Sequence, residues 1–241
     1  MSHTVEKIGG TSMSRFGEVM DNVIINGRKG QELYNRIFVV SAYAGITNLL
    51  LENKKNGEPG VYGYFAADNP AWRKALDDVR EKMLEYNRSF APLGLDIAEA
   101  DKFICGRLEG IRISLEDLVN LRTFGHFRPD DYLPSTREFL AAVGEVHSAY
   151  NSAQILKAHG VNACFVDLSG WKSTKSVTLD QAILDAFQSV DLSQELPIVT
   201  GYVKFDSGIM KRFDRGYSEI TFSKVAVLTE AALSFIGLGD P

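Results

Sequence analysis

The stretch "VEKIGGTSMSRF" (Val5–Phe16) sets a lysine two residues before a glycine pair and follows the pair with two hydroxyl residues. Its first half alternates weakly and predicts a short β-strand ending at the glycines. Beyond them, Phe16, Val19, Met20, Val23 and Ile24 recur at helical spacing, with Ser12 or Ser14 placed to cap the helix. "RIFVVSA" (Arg36–Ala42) is a β-branched and aromatic run that predicts a buried strand, and Gly45 opens a second helical stretch, "ITNLLLEN". Strand, helix, strand, helix is the order of a parallel α/β sheet.

From Pro70 to His159 strand candidates almost vanish. "AWRKALDDVREKMLEYNRSF" and "EFLAAVGEVHSAYNSAQILKAHG" predict amphipathic helices, with further helix between Ile97 and Leu121. The turn-rich "GEPGVYGYFAADNP" (Gly57–Pro70) predicts a surface loop, and strands resume at "VNACFVDL" and "LPIVTGYV". "KFDSGIMKRF" predicts a hairpin or flap, and "SEITFSKVAVLTEAALSFIG" a closing helix. The expected architecture is one α/β domain over residues 1–241, with a helical insertion packed on the sheet and no linker.

The net charge of −5 argues against a general nucleic-acid binder, because neutralising phosphates needs a basic face. No apolar run approaches the roughly 18 residues of a membrane span, and the N-terminus lacks the apolar core of a secretory signal. Cys105 and Cys164 stand far apart, with neither disulfide-framework nor zinc spacing. A cytoplasmic location is expected.

Four segments carry candidate chemistry, each with a structural alternative. In "KIGGTS", glycines let backbone N–H groups approach an anion, a helix N-terminus adds a positive dipole end, and Lys7 supplies a mobile charge. Taken alone, the segment fits an ordinary strand-to-helix turn better, since it matches neither standard phosphate-loop pattern. Ser41, Gly45, Thr47 and Asn48 cluster past the end of a buried strand, where ligands sit in open α/β sheets. Helix capping by Ser41 or Thr47 is the alternative. Glu145 lies on a core-like helix and needs a partner, either a structural arginine, slightly favoured, or a bound ammonium group. His147 is expected to be a partly buried packing residue, and His126 and His159 surface residues. Arg215, Ser218, Glu219 and Thr221 lie at the start of the last helix. Arginine grips carboxylates and phosphates through paired bonds, while Ser-Glu is also an ordinary helix start.

In order, these segments resemble the aspartokinase family. "VEKIGGTSM" is similar to its Lys-Phe-Gly-Gly-Thr-Ser motif, and "VVSAYAGITNLL" to its Val-Ser-Ala-x-x-Gly-x-Thr-Asn-x-Leu segment. "VGEVHSA" resembles its Gly-Glu helix, and "TGYVKF…FDRGYSE" its Gly-Phe…Gly-Arg-Gly-Gly-Ser-Asp stretch. The Val-Glu-Lys-Ile start and the Arg-Gly-Tyr-Ser-Glu variant look most like the subgroup associated with ectoine biosynthesis. The resemblance implies an amino-acid-kinase fold, ATP with Mg2+, and transfer of the γ-phosphoryl group to the β-carboxylate of L-aspartate, giving 4-phospho-L-aspartate. It implies no nucleic-acid or membrane partner and allows a homo-oligomer. By the same resemblance Lys7, Gly9, Gly10, Thr11 and Ser12 hold the phosphates, with Lys7 and Arg215 catalytic. Ser41, Thr47, Ser218 and Glu219 line the aspartate site, where Glu145 meets the α-ammonium and Arg215 the α-carboxylate. A carboxylate is already nucleophilic, so this reaction asks for positioning and charge neutralisation rather than a general base.

Two departures from the family's pattern stand out. Tyr217 and Glu219 replace a glycine and an aspartate, adding bulk and one methylene. The sequence to Pro241 contains no counterpart of the family's Thr-Asp-x-Asp-Gly nucleotide strand or of its regulatory ACT domains. An incomplete kinase domain with a weak ATP site is therefore expected. A non-catalytic amino-acid-binding or regulatory relative stays open, as does a kinase for another carboxylate or carbamate. Glu145 with Arg215 favours an α-amino acid. The closing segment (Val225, Val227, Leu228, Ala231, Ala232, Leu233, Phe235, Ile236) is more apolar than one helical stripe needs. It predicts an exposed patch and self-association.

Overall fold

The structure, a computed structural model, describes residues 2–236. Five parallel strands form one sheet: β1 (Thr4–Ile8), β2 (Arg36–Val40), β3 (Ala163–Val166), β4 (Leu196–Thr200) and β5 (Leu233–Ile236). They lie in the order β3-β4-β2-β1-β5. β1 pairs with β2 from Thr4↔Arg36 to Ile8↔Val40, and β2 pairs with β4 from Phe38↔Ile198 to Val40↔Thr200. β2 and β4 are buried along their whole length, which is why both read as unbroken apolar runs rather than alternating ones.

Three long helices, α5 (Trp72–Ser89), α6 (Ile97–Arg122) and α7 (Pro129–Ala158), form the predicted insertion. α5 buries Trp72, Leu76, Val79 and Met83 at helical spacing. Asp96 caps α6 by accepting from the Glu99 N–H at 3.1 Å. α7 is covered on several sides at once, by β3, β4, α6, α4 (Val61–Ala66) and α3 (Ile46–Leu50). Its middle is therefore buried on all faces, mostly small and apolar residues but with Glu145, His147 and Asn151 buried among them.

Four sequence expectations are corrected. The helix after Gly9 begins at Gly10 as α1 (Gly10–Met13), with Gly9 as its cap rather than Ser12 or Ser14. It continues as α2 (Phe16–Val19) and a wider turn, Met20–Ile25. Ser14 instead accepts the Ala44 N–H at 2.8 Å, tying this segment to the loop after β2. The turn-rich Gly57–Pro70 segment contains α4, because Val61 and Phe65, one turn apart, both enter the core.

"KFDSGIMKRF" is not a hairpin: a turn leads into α9 (Ile209–Phe213). Glu138 on α7 accepts the N–H groups of Met210 at 2.8 Å and Lys211 at 3.1 Å, so they are unavailable to a strand ladder. The closing helix stops early, as α10 (Tyr217–Leu228). At Glu230 the chain takes a φ of 56° and then forms β5 alongside β1, starting at Thr4↔Leu233. Pairing satisfies the N–H and C=O groups along that side of β1, which a longer helix would leave without ladder partners. The expected apolar exposure is present, at Val227 on α10 and at Leu233, Phe235 and Ile236 on β5. Gly237 and the remaining residues to Pro241 lie outside the described residues.

A further helix, α8 (Leu179–Phe187), lies between β3 and β4 in the chain: Thr178 caps it by accepting the Gln181 N–H, and Leu179, Ala182, Ile183 and Ala186 follow at helical spacing.

Candidate functional site

The carboxyl ends of β1, β2 and β4 are neighbours in the sheet, and each ends in a residue without a bulky side chain: Gly9, Ser41 and Gly201. Close approach of backbone explains Gly201 and the neighbouring Gly10, though not Gly9. A Cβ on Gly10 would lie 2.6 Å from the Ala42 carbonyl oxygen, and one on Gly201 would lie 2.8 Å from both the Val40 oxygen and the Ser218 Cβ. Gly9 is roomier, with only Lys7 Nζ near, at 3.9 Å. Gly10→Ala is therefore expected to destabilise the fold by about 1–3 kcal/mol, because carbonyl backbone cannot swing aside. Gly9→Ala should be nearly neutral, and urea titrations of the two variants side by side check the contrast.

Over these strand ends lies the start of α10. Lys7, at 8% exposure, donates to Glu219 Oε1 at 2.8 Å. Burial works against ionisation of Glu219, but the hydrogen bond and charge of Lys7 outweigh it and hold the carboxyl below its ordinary range. Ser218 Oγ donates to Glu219 Oε2 at 3.2 Å and lies 3.4 Å from Ser41 Oγ. Ser41 is fixed from the other side, where its carbonyl accepts from Ser148 on α7 at 2.8 Å. Glu219 is thus both an acid in the first turn of a helix and the partner of Lys7.

Glu145 reaches the same cluster from α7. It has no arginine partner among the described residues, contrary to the slightly favoured expectation; the Tyr217 hydroxyl donates to its Oε2 at 3.2 Å. Burial pushes its carboxyl up to about 8, against the opposing pull of that hydroxyl, of backbone N–H groups and of the Lys7 charge. Arg215 donates to Asn48 Oδ1 at 2.7 Å and to the Glu52 carbonyl at 2.9 Å. It therefore ties α3, through Asn48, to the segment just past its end. Capping of α3 by Ser41 or Thr47 does not occur: Gly45, with φ of 84°, caps it without a side-chain bond. Thr47 and Ser12 are half-buried and Thr11 exposed, and none of the three side chains is hydrogen-bonded among the described residues.

A cavity of about 1180 Å³ lies beyond this cluster, between α7 and the loops after β3 and β4. Tyr202 lines it and packs edge-on against Tyr217 at 5.7 Å, so the two rings stand between the cavity and Glu145. Tyr217, which the sequence marked only as a bulky departure from the family's pattern, is the side-chain donor to Glu145.

His147 is fully buried rather than partly so, with Nε2 2.7 Å from Asn87 Oδ1, while His126 and His159 are exposed as expected. Burial pushes the His147 pKa down to about 3, below its unfolded value of about 6.5. The native state thus refuses a proton that the unfolded chain accepts. Stability held above pH 6.5 should fall as pH drops toward 3, by up to about 1.4 kcal/mol per pH unit. Urea midpoints between pH 7 and 4 should show this slope, and His147→Asn should flatten it; identical slopes would clear His147 of the effect.

The amino acid kinase family model matches residues 3–237. The chain is 48% identical, over 236 residues, to the aspartate kinase Ask_Ect of Stutzerimonas stutzeri (strain A1501), covering 97% of this chain and 50% of that protein. Its fold is similar to E. coli aspartokinase III in complex with aspartate and ADP (R-state), with a TM-score of 0.67 and 22% identity. That match covers 99% of this chain and 49% of the other. The same enzyme in complex with lysine and aspartate (T-state) gives a TM-score of 0.66 and 21% identity, over 99% and 50% of the two chains. The chain spans about half the length of the relatives it matches. It belongs to the amino acid kinase family.

Proposed function

We propose that the cluster at the carboxyl ends of β1, β2 and β4 binds ATP and L-aspartate and transfers the γ-phosphoryl group to the aspartate β-carboxylate. The observation that carries this reading is a buried cation, Lys7, and a buried acid, Glu145, near one set of strand ends and close enough for the Lys7 charge to act on the Glu145 carboxyl. The 48% identity to an aspartate kinase supports the choice of acceptor. Lys7 exchanges Glu219 for phosphate oxygens, and the N–H groups around Gly9 and Gly10 face the same space. Glu145 receives the α-ammonium, Arg215 the α-carboxylate, and the Ser41 and Ser218 hydroxyls orient the side-chain carboxylate. Arg215 spends two of its five donors on Asn48 and the Glu52 carbonyl and keeps the rest for a ligand. The chemistry needs no base; it needs charge held where negative charge accumulates on the transferred group.

Among the described residues no group of three or more His, Cys, Asp or Glu side chains is placed to hold a metal ion. The residues do not form a cage for Mg2+, and we place it with the nucleotide phosphates. No helix of the described residues is long and apolar enough to cross a membrane.

Incubation with Mg-ATP and aspartate, with hydroxylamine trapping of the acyl phosphate, tests the reaction. Calorimetry with each ligand separates the alternatives. Aspartate binding without nucleotide binding would mark an amino-acid-binding module, and hydroxamate formed only from another carboxylate would change the acceptor.

A further inference from the structure

We propose that Tyr217 is a positioning residue that fixes the Glu145 carboxyl and eases its ionisation, and that Glu145, kept neutral in the free protein by its burial, releases its proton when an amino-acid ammonium group binds it. The ligand half of this rests on the ammonium-site role given to Glu145 above.

The Glu145 carboxyl is buried on a helix enclosed by sheet and helices, and its surroundings hold no cation within ion-pair distance among the described residues. The titratable groups facing it are Tyr217 on α10, Tyr202 in the loop after β4 and Lys7 on β1. Lys7 acts on it only through its charge, since its Nζ is bonded to Glu219. From the loop after β2 comes the Ala42 N–H, and α3 presents Ile46 and Leu50 beside Gly144. An ionised carboxylate in such surroundings is costly, so the acid holds its proton. The upward push to about 8 agrees with that geometry.

The Tyr217 hydroxyl is held in place from behind. Its ring rests edge-on against Tyr202, whose own hydroxyl donates to Glu138 Oε2 at 2.8 Å. Glu138 in turn accepts the first N–H groups of α9. The phenol is thereby fixed as a donor to one carboxyl oxygen, and it eases ionisation once a cation arrives. A bound ammonium supplies that missing cation. The acid becomes a carboxylate paired with the ammonium, and its proton leaves to solvent. Binding should then release about one proton at neutral pH, with affinity rising by up to about tenfold per pH unit below the carboxyl midpoint.

Two measurements test this on the whole chain. Infrared difference spectra of wild type against Glu145→Gln should show a protonated carboxyl band at pH 7 that disappears near pH 8, and at higher pH in Tyr217→Phe. Calorimetry with L-aspartate, in buffers of different ionisation enthalpy, should find proton release at pH 7 that fades toward pH 9. An ionised Glu145 at pH 7, a Tyr217→Phe titration identical to wild type, or aspartate binding without proton release would overturn the proposal. If the carboxyl titrates as expected but aspartate binds at no pH, the aspartate reading of the site falls and the hold of Tyr217 on Glu145 stands.

Discussion

Lys7→Ala is expected to lower phosphoryl transfer by about 10²–10³-fold, the effect of removing one preorganised donor from a charge-developing transition state. The fold should barely register the change. The partner left behind, Glu219, is half exposed, and pairs of that kind contribute about 1 kcal/mol or less. Hydroxamate formation gives the rate, and a urea titration of the same preparation gives the stability. A Lys7→Ala protein with wild-type turnover would remove Lys7 from the phosphate site. Lys7→Arg should recover little, because the site is built around a compact charge beside Gly9, with 3.9 Å between Nζ and a Cβ placed there.

Arg215→Ala and Glu145→Gln should each weaken aspartate binding steeply and leave ATP binding nearly intact. Loss of a buried partner for a charged ligand group costs about 2–5 kcal/mol, or roughly 30-fold to several thousand-fold in affinity. Glutamine keeps the volume of Glu145 and an acceptor for the Tyr217 hydroxyl, so its effect is the loss of charge rather than of packing. Arg215 is less clean. Its bonds to Asn48 and the Glu52 carbonyl also secure the end of α3, so part of its effect is the freeing of that helix. Separate calorimetric titrations with aspartate and Mg-ATP decide it. Equal losses for both ligands would make the two residues structural.

The exposed side chains of β5 illustrate how a correct expectation can have a different physical origin. The apolar surplus after Ser223 was visible in composition, but a surplus of apolar residues does not distinguish a broad helical face from a strand. The turn at Glu230 and the pairing of Leu233 with Thr4 made the difference, and those depend on a strand more than 200 residues earlier.

By itself the sequence determined the parallel sheet and the helical insertion, which follow from local causes: apolar period and β-branched runs. The residues proposed to hold phosphate and an amino acid it marked only through the order of motifs that resemble a family's pattern. The tertiary structure alone decided who partners whom. Glu145, for which the sequence left a structural arginine, slightly favoured, or a bound ammonium group, meets Tyr217, because α7 brings it to the start of α10, 72 residues away. Lys7 is balanced by Glu219 across 212 residues for the same reason. "KFDSGIMKRF" became a helix because Glu138 claims its first N–H groups from another element. Charge pairing and capping across such distances depend on which faces the packed core turns toward each other, and no local pattern encodes that.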